Sequence, residues 1–104
     1  MRIFAPNLWS LMNTLSELLR RPGATLLDVR TMGEFQEGHA PGAIHIPVEE
    51  LSYRTDELRA CSTPLIVYCK SGGRSRMAQH ILEQDGFTDV HNGGGLGDVL
   101  TALG

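Results

Sequence analysis

Residues 64–75 read PLIVYCKSGGRS, an apolar run followed by a polar, glycine-rich turn. The run from Pro64 to Tyr68 predicts a buried strand, because it is short, partly β-branched and bounded by a proline and a polar loop. Apolar residues at helical spacing resume after residue 74, so the turn connects a strand directly to a helix. A strand, a tight turn and a helix in this order are typical of α/β domains with parallel sheets.

The rest of the chain continues this alternation in both directions. The helix after the turn is expected to bury a face formed by Met77, Ala78, Ile81 and Leu82 and to end at Gly86. The other predicted elements are strands at residues 24–29, 42–47 and 89–91, helices at 8–21, 48–59 (two short ones) and 97–103, and a glycine turn at 93–95. We therefore expect an α/β domain whose largely parallel sheet is covered by helices on both faces.

The composition is that of an ordinary globular protein of 104 residues, with 41% hydrophobic residues and a formal net charge of −3. The length fits one domain over residues 1–104. The negative charge argues against a nucleic-acid surface, and no run is apolar enough for a membrane helix or a signal peptide. The two cysteines, Cys61 and Cys69, favour neither a disulfide scaffold nor a zinc site. We expect a cytoplasmic protein with reduced thiols and no metal, and a monomer by default.

The turn after the predicted strand brings a cysteine together with groups that stabilise negative charge. Cys69 stands at the carboxyl end of the strand, where ligands bind in such sheets, and its sulfur is expected to face solvent. Gly72 and Gly73 let the backbone curl and aim its N–H groups inward, and a helix N-terminus follows. Lys70 and Arg74 add full positive charges, in a stretch from residue 58 to 82 that holds no acid. These features favour a nucleophilic thiolate over the alternative, an inert buried thiol.

The segment from Cys69 to Ser75 resembles the active-site loop of rhodanese-type sulfurtransferases. The likeness covers roughly residues 26–95 and keeps the order and spacing of the motifs. The other matching segments are Leu27-Asp28-Val29-Arg30, Glu34-Phe35, Gly38-His39, Pro41-Gly42-Ala43-Ile44 with Ile46-Pro47, the start of the next helix at residues 74–78, and Gly86-Phe87 with Val90.

The resemblance implies a mainly parallel sheet of about five strands and a reaction in two half-steps. The Cys69 thiolate would attack thiosulfate or a similar donor and become a persulfide, and cyanide, a thiol or a carrier protein would then take the sulfur. No cofactor is implied. The residues implied to bind substrate are Lys70, Ser71, Gly72, Gly73, Arg74 and Ser75, of which Lys70 and Arg74 would neutralise the thiosulfate dianion.

Four further residues are interpreted as structural neighbours of the site: Asp28, Arg30, Glu34 and His39. Asp28 ends a strand, and Arg30 is expected to pair with Glu34 and hold the facing loop, although Asp28 and Arg30 can also be interpreted as a catalytic pair. The remaining histidines, His45, His80 and His91, lack metal-ligand spacing. Cys61 is interpreted as a bystander, with a resolving thiol as the alternative.

A non-enzymatic interaction module is disfavoured, because modules of that kind in the resembled family typically lack the cysteine that stands here in an intact basic loop. Two other functions stay open at this stage. One is a persulfide carrier that serves a partner protein. The other is a phosphatase or an arsenate reductase of similar fold, but those loops place five residues between cysteine and arginine, whereas four lie between Cys69 and Arg74. The sequence also lacks the tryptophan that often follows the last glycines in the family. Without it the rim of the acceptor pocket is expected to be more open, or else the single tryptophan, Trp9, covers apolar surface from the other end.

Overall fold

The computed structural model describes the backbone of residues 8–104 and the side chains from residue 14 onward, so Trp9 lies outside the described side chains. The elements in chain order are α1 (Leu8–Arg20), β1 (Thr25–Asp28), α2 (Met32–Glu37), β2 (Ile44–His45), α3 (Val48–Leu51), a 3₁₀ turn (Thr55–Leu58), β3 (Leu65–Cys69), α4 (Gly73–Gln84), β4 (Val90–Gly95) and α5 (Leu96–Leu103). None of the helices in this part of the chain has the length and apolarity needed to cross a membrane.

Within residues 8–104 the sheet has four parallel strands in the order β2-β1-β3-β4. The α/β class and the parallel pairing are therefore confirmed. The count is one strand short of the number that the resemblance implies, because the segment preceding β1 in the described chain is the helix α1. The strand β3, which ends at Cys69, lies between β1 and β4, and all five of its residues are buried. A central, fully buried strand gives its last residue a fixed position.

Helices cover both faces of the sheet, as expected. On one face the core joins β-strand residues to α3 and α4 through Leu51, Ala78 and Leu82, each fully buried. On the other face a smaller cluster forms around Tyr68 and Val99, the latter on α5. Burying one such Leu or Val side chain contributes about 1.5–3 kcal/mol. The two clusters pack against opposite faces of β3, so the position of the turn that follows this strand is well defined.

Three details of the predicted elements are wrong. Residues 93–95 are not a turn but the second half of β4, because glycines let this strand approach β3: a Cβ on Gly93 would come within 3.0 Å of Ile66. Met77 is 58% exposed, since the buried face of α4 is carried by Ala78 and Leu82. The helix α2 was not predicted. It is a six-residue helix with no buried side chain, so it leaves no apolar pattern.

Candidate active site

Cys69 is the last residue of β3, and its side chain is enclosed by the turn that follows. The residue is 1% exposed, so the expectation that its sulfur faces solvent is wrong. The turn closes over the sulfur because Gly72 adopts φ 104, a left-handed conformation that glycine tolerates without strain. This conformation aims the Gly72 N–H at Cys69 Sγ, where it donates a hydrogen bond at 3.0 Å.

The surroundings of the sulfur favour its ionised form. Burial raises the pKa of the Cys69 thiol, but hydrogen bonding to the Ser75 hydroxyl and to the backbone N–H groups of Ser75, Gly72 and Ser71 outweighs burial. The net result is a pKa lowered from 9.0 to about 7. The thiol donates to Ser75 Oγ at 3.5 Å, and Ser75 itself is fully buried in the first turn of α4. A large fraction of Cys69 is therefore thiolate at neutral pH, the form that acts as a nucleophile.

The two cations expected to bind substrate differ in their surroundings. Lys70 is exposed, and the described residues give it no ion pair. Arg74 donates to both carboxylate oxygens of Glu34, at 2.7 and 3.0 Å. The paired Arg74, together with the Thr31 cap, lowers the pKa of Glu34 from 4.5 to about 2. The expected pairing of Arg30 with Glu34 is therefore wrong, because α2 places that carboxylate over the start of α4.

Arg30 instead pairs with Asp28 in a buried cluster beneath the loop. Its guanidinium lies 2.6 Å from the Asp28 carboxylate and also donates to the Gly38 carbonyl at 2.7 Å. Burial raises the pKa of Asp28, but the hydrogen bonds from Arg30 and Tyr68 outweigh this effect and lower it. The Tyr68 hydroxyl in turn accepts from the Ala40 N–H at 3.0 Å. This network joins β1, β3 and the segment after α2, and none of its recorded bonds reaches the Cys69 sulfur.

His39 also belongs to the support of α2. Its ring stacks on Phe35 with the centroids 3.7 Å apart, and its Nδ1 lies 2.8 Å from the Phe35 carbonyl oxygen. His45 stacks near Phe35 as well, at 4.5 Å. The three rings support the helix that carries Glu34, so His39 acts on the loop through that helix.

Two residues that contact the loop were not predicted from the sequence. Asn92 on β4 contacts Ser75, Gly72 and Gly94 through its side-chain amide. Gly95 backs directly onto the loop, since a Cβ there would lie 2.1 Å from the Lys70 carbonyl oxygen. The only available signal was the run of glycines at 93–95, which was interpreted as a turn.

A cavity of about 320 Å³ opens beside the loop. It is large enough for a small anion, and its lining is Arg30, Glu34, Glu37, Gly38, Lys70, Leu96 and Gly97. Leu96 and Gly97 follow the glycines at the position where the family often has a tryptophan. A larger cavity of about 730 Å³ between α1, β4 and α5 touches the site at Asn92 and Gly94 but is not lined by Lys70, and Cys69 lines neither cavity.

Cys61 lies away from this cluster. It precedes β3, whereas Cys69 ends that strand, so the full length of the strand lies between them in the chain. Cys61 Sγ donates to the Glu57 carbonyl at 3.8 Å. This placement gives no support to a resolving thiol.

Comparison with known proteins agrees with this geometry. Residues 11–96 match the family model described as "Rhodanese-like domain". Thiosulfate sulfurtransferase PspE of Escherichia coli is 38% identical over 70% of this chain and 71% of its own length. Putative sulfur carrier protein YrkF of Bacillus subtilis is 39% identical over 64% of this chain, which spans only 36% of that longer protein. A rhodanese structure from E. coli, solved with anions, aligns with a TM-score of 0.67 and 37% identity over 72% of this chain and 89% of its own. Sulfur transfer is the chemistry that these named relatives share.

Proposed function

The chain belongs to the rhodanese-like domain family, and we propose that it moves sulfane sulfur from thiosulfate or a similar donor to a thiophilic acceptor through a persulfide on Cys69. The observation that supports this proposal is the enclosed sulfur with a pKa of about 7 and a backbone N–H at 3.0 Å. A thiol with this pKa is a good nucleophile in the first half-reaction and a good leaving group in the second.

The proposed steps balance without an external oxidant. The Cys69 thiolate attacks the outer sulfur of thiosulfate, a new S–S bond forms, and sulfite leaves with the electron pair of the broken bond. An acceptor such as cyanide or a thiolate then attacks the terminal sulfur, and Cys69 leaves as a thiolate. Both steps are displacements at sulfur, so the proposal needs no metal and no organic cofactor.

The loop residues take the following roles in this proposal. Lys70 attracts the anionic donor, since it is the cation of the adjoining cavity that has no carboxylate partner among the described residues. The backbone N–H groups of Ser71, Gly72 and Ser75 hydrogen-bond the sulfur and stabilise its charged adduct, and Gly73 begins the helix that follows. Arg74 supplies charge from the start of α4, reduced by its pairing with Glu34.

Intact-mass measurement after incubation with thiosulfate tests the proposal. The wild type should gain the mass of one sulfur atom and lose it when cyanide is added. The variant Cys69→Ala should gain nothing, and the matched variant Cys61→Ala should load like the wild type. Loading that persists in Cys69→Ala would place the acceptor elsewhere and reject the mechanism.

A persulfide carrier for a partner protein is the second candidate. The pairing of Arg74 with Glu34 favours it, because this pair reduces the charge available to a small dianion. The likeness to a putative sulfur carrier points in the same direction. Stable loading of Cys69 combined with very slow turnover on cyanide would select this version over the enzyme.

The pairing of Arg74 also argues against a phosphatase, since the guanidinium that would bind phosphate is occupied by a carboxylate. Hydrolysis of an aryl phosphate, measured beside sulfur loading, would reverse that conclusion.

We further propose that residues 1–104 act as one monomeric domain in the cytoplasm, where both free cysteines stay reduced. Size-exclusion chromatography at micromolar concentration tests the monomer.

A further inference from the structure

The side chain of Asn92 contacts the active-site loop although it lies outside it. Its Oδ1 accepts from the Gly94 N–H at 2.9 Å, and its Nδ2 donates to the Gly72 carbonyl at 3.2 Å. These two bonds fix the orientation of the amide, because an N–H can only donate and a carbonyl can only accept. The oxygen that faces Ser75 Oγ at 2.7 Å has no hydrogen, so the Ser75 hydroxyl is the donor in that bond.

The Ser75 hydroxyl has one hydrogen and three neighbouring acceptors. Asn92 Oδ1 is the nearest at 2.7 Å, and the carbonyls of Gly72 and Gly94 lie at 3.0 and 3.5 Å. While Cys69 is a thiol, the S–H donates to Ser75 Oγ, and the hydroxyl is free to donate to Asn92. Once Cys69 loses its proton to water, the charged sulfur needs donors. Ser75 can then donate to the sulfur only by turning its hydrogen away from Asn92. Asn92 Oδ1 still keeps its bond from the Gly94 N–H after that rotation.

We propose that Asn92 is a positioning residue that competes with the Cys69 thiolate for the hydroxyl hydrogen of Ser75 and thereby controls how readily Cys69 ionises. No covalent bond changes in this step, because only the hydroxyl rotates. In the persulfide the charge lies on the terminal sulfur, so the Ser75 hydroxyl donates to Asn92 in that state. It donates to the Cys69 sulfur again when Cys69 leaves as a thiolate. This catalytic consequence rests on the proposed function, whereas the effect on ionisation does not.

Other charged groups around the sulfur act by a different route. Lys70 and Arg74 belong to the loop and the start of α4, and Glu34 on α2 pairs with Arg74. Asp98 on α5 accepts from the Gly95 N–H at 2.8 Å. The buried carboxylate of Asp28, at the end of β1, is paired with Arg30. All of these groups remain in every variant used below, so Asn92→Ala differs from its parent only in the loss of the amide.

The test measures the pH dependence of alkylation by iodoacetamide in a Cys61→Ser background, in which Cys69 is the remaining thiol. Asn92→Ala should lower the thiol pKa by about 0.5 to 1, the range expected for one competing hydrogen bond. The Gly72 carbonyl at 3.0 Å and the Gly94 carbonyl at 3.5 Å remain as longer acceptors for the Ser75 hydroxyl in this variant, so the shift reports what the 2.7 Å bond to Asn92 adds.

A second variant and a matched control sharpen the result. Asn92→Asp keeps the acceptor, loses the amide donor and adds negative charge, so it should raise the thiol pKa. His91→Ala, on the same strand, removes a ring that pairs with Asp89 and has no recorded bond to the loop, so it should leave the pKa unchanged. If Asn92 only braced the loop, both of its variants would shift the pKa in the same direction.

The decisive measurement is the double variant with Ser75→Ala. Removing the hydroxyl should raise the thiol pKa, and adding Asn92→Ala should then change nothing further. A rise or no change in Asn92→Ala, or a shift that persists without the hydroxyl, overturns the proposal. If Asn92→Ala fails to fold by circular dichroism, a pKa in Asn92→Asp at or below that of the parent overturns it. Loss of sulfur loading with the expected pKa pattern rejects the proposed function alone.

Discussion

Replacing Glu34 with glutamine separates its two structural roles. The carboxylate caps α2 by accepting from the Thr31 N–H at 3.0 Å, and it holds Arg74 through two bonds at 2.7 and 3.0 Å. Glutamine keeps the length of the side chain and one oxygen for the cap. The variant Glu34→Gln therefore removes mainly the charge that binds Arg74.

The size of the effect on stability follows from the geometry of the pair. The pKa of Glu34 falls from 4.5 to about 2, which corresponds to at most about 3.5 kcal/mol at about 1.4 kcal/mol per pKa unit. The side chains of Arg74 and Glu34 are 33% and 26% exposed, so solvent screening reduces this limit. We expect Glu34→Gln to lower the free energy of unfolding by about 1–2 kcal/mol at neutral pH.

The stabilisation that Glu34 contributes to the folded protein depends on pH. Because the pKa of Glu34 is about 2 in the folded protein and about 4.5 when unfolded, its stabilising effect is complete above about pH 4.5 and is lost as the pH falls toward 2. Urea unfolding followed by circular dichroism should show the gap between wild type and Glu34→Gln closing over this range. A gap that does not depend on pH, or a variant as stable as the wild type, would refute the reasoning.

The same variant has a catalytic consequence. Freeing Arg74 adds one unpaired cation at the loop, so the KM for thiosulfate should fall. Glu37→Gln is the matched control, since Glu37 lines the same cavity and has no recorded bond to Arg74. An equal fall in both variants would mean that the net charge of the cavity, and not release of Arg74, controls binding.

Three further predictions follow from the same contacts. Alkylation of Cys69 should rise with pH through a midpoint of about 7, and a midpoint near the 9.0 of an ordinary thiol would contradict the lowered pKa. Gly95→Ala should abolish sulfur loading, because its Cβ would lie 2.1 Å from a carbonyl oxygen of the loop, whereas Gly33→Ala, whose Cβ would have no neighbour nearer than 4.0 Å, should load like the wild type by intact mass. Arg30→Met should cost about 3–5 kcal/mol in urea unfolding, because it leaves the fully buried Asp28 carboxylate without its partner, and a loss below about 1 kcal/mol would contradict a buried pair.

Much of the fold could be predicted because its signals are local. The apolar run before Cys69, the glycines after it and the helical spacing beyond residue 74 each depend on residues close together in sequence. The helix α2 escaped prediction because its order comes from a capping box between Thr31 and Glu34 and from stacked rings, not from a buried face. The strand at 93–95 escaped because glycine predicts a turn unless a neighbouring strand leaves no room for side chains.

The loop motif was predicted from sequence, but its partners were not. Arg74 pairs with a residue 40 positions away, and Ser75 bonds to one 17 positions away. Such pairs depend on how α2 and β4 are placed against α4, and no local pattern encodes that placement. The same holds for the exposure of Cys69, which the turn reduces to 1% by closing over the sulfur.

The sequence by itself determined the α/β class, the strand-turn-helix unit and the cysteine within a basic, glycine-rich turn, because these depend on propensity and spacing along the chain. Only the tertiary structure decided which carboxylate meets Arg74, which amide meets Ser75 and how far the thiol is enclosed. Hydrogen bonds and ion pairs form between atoms a few ångströms apart, and these distances are set only when the sheet and its helices pack together.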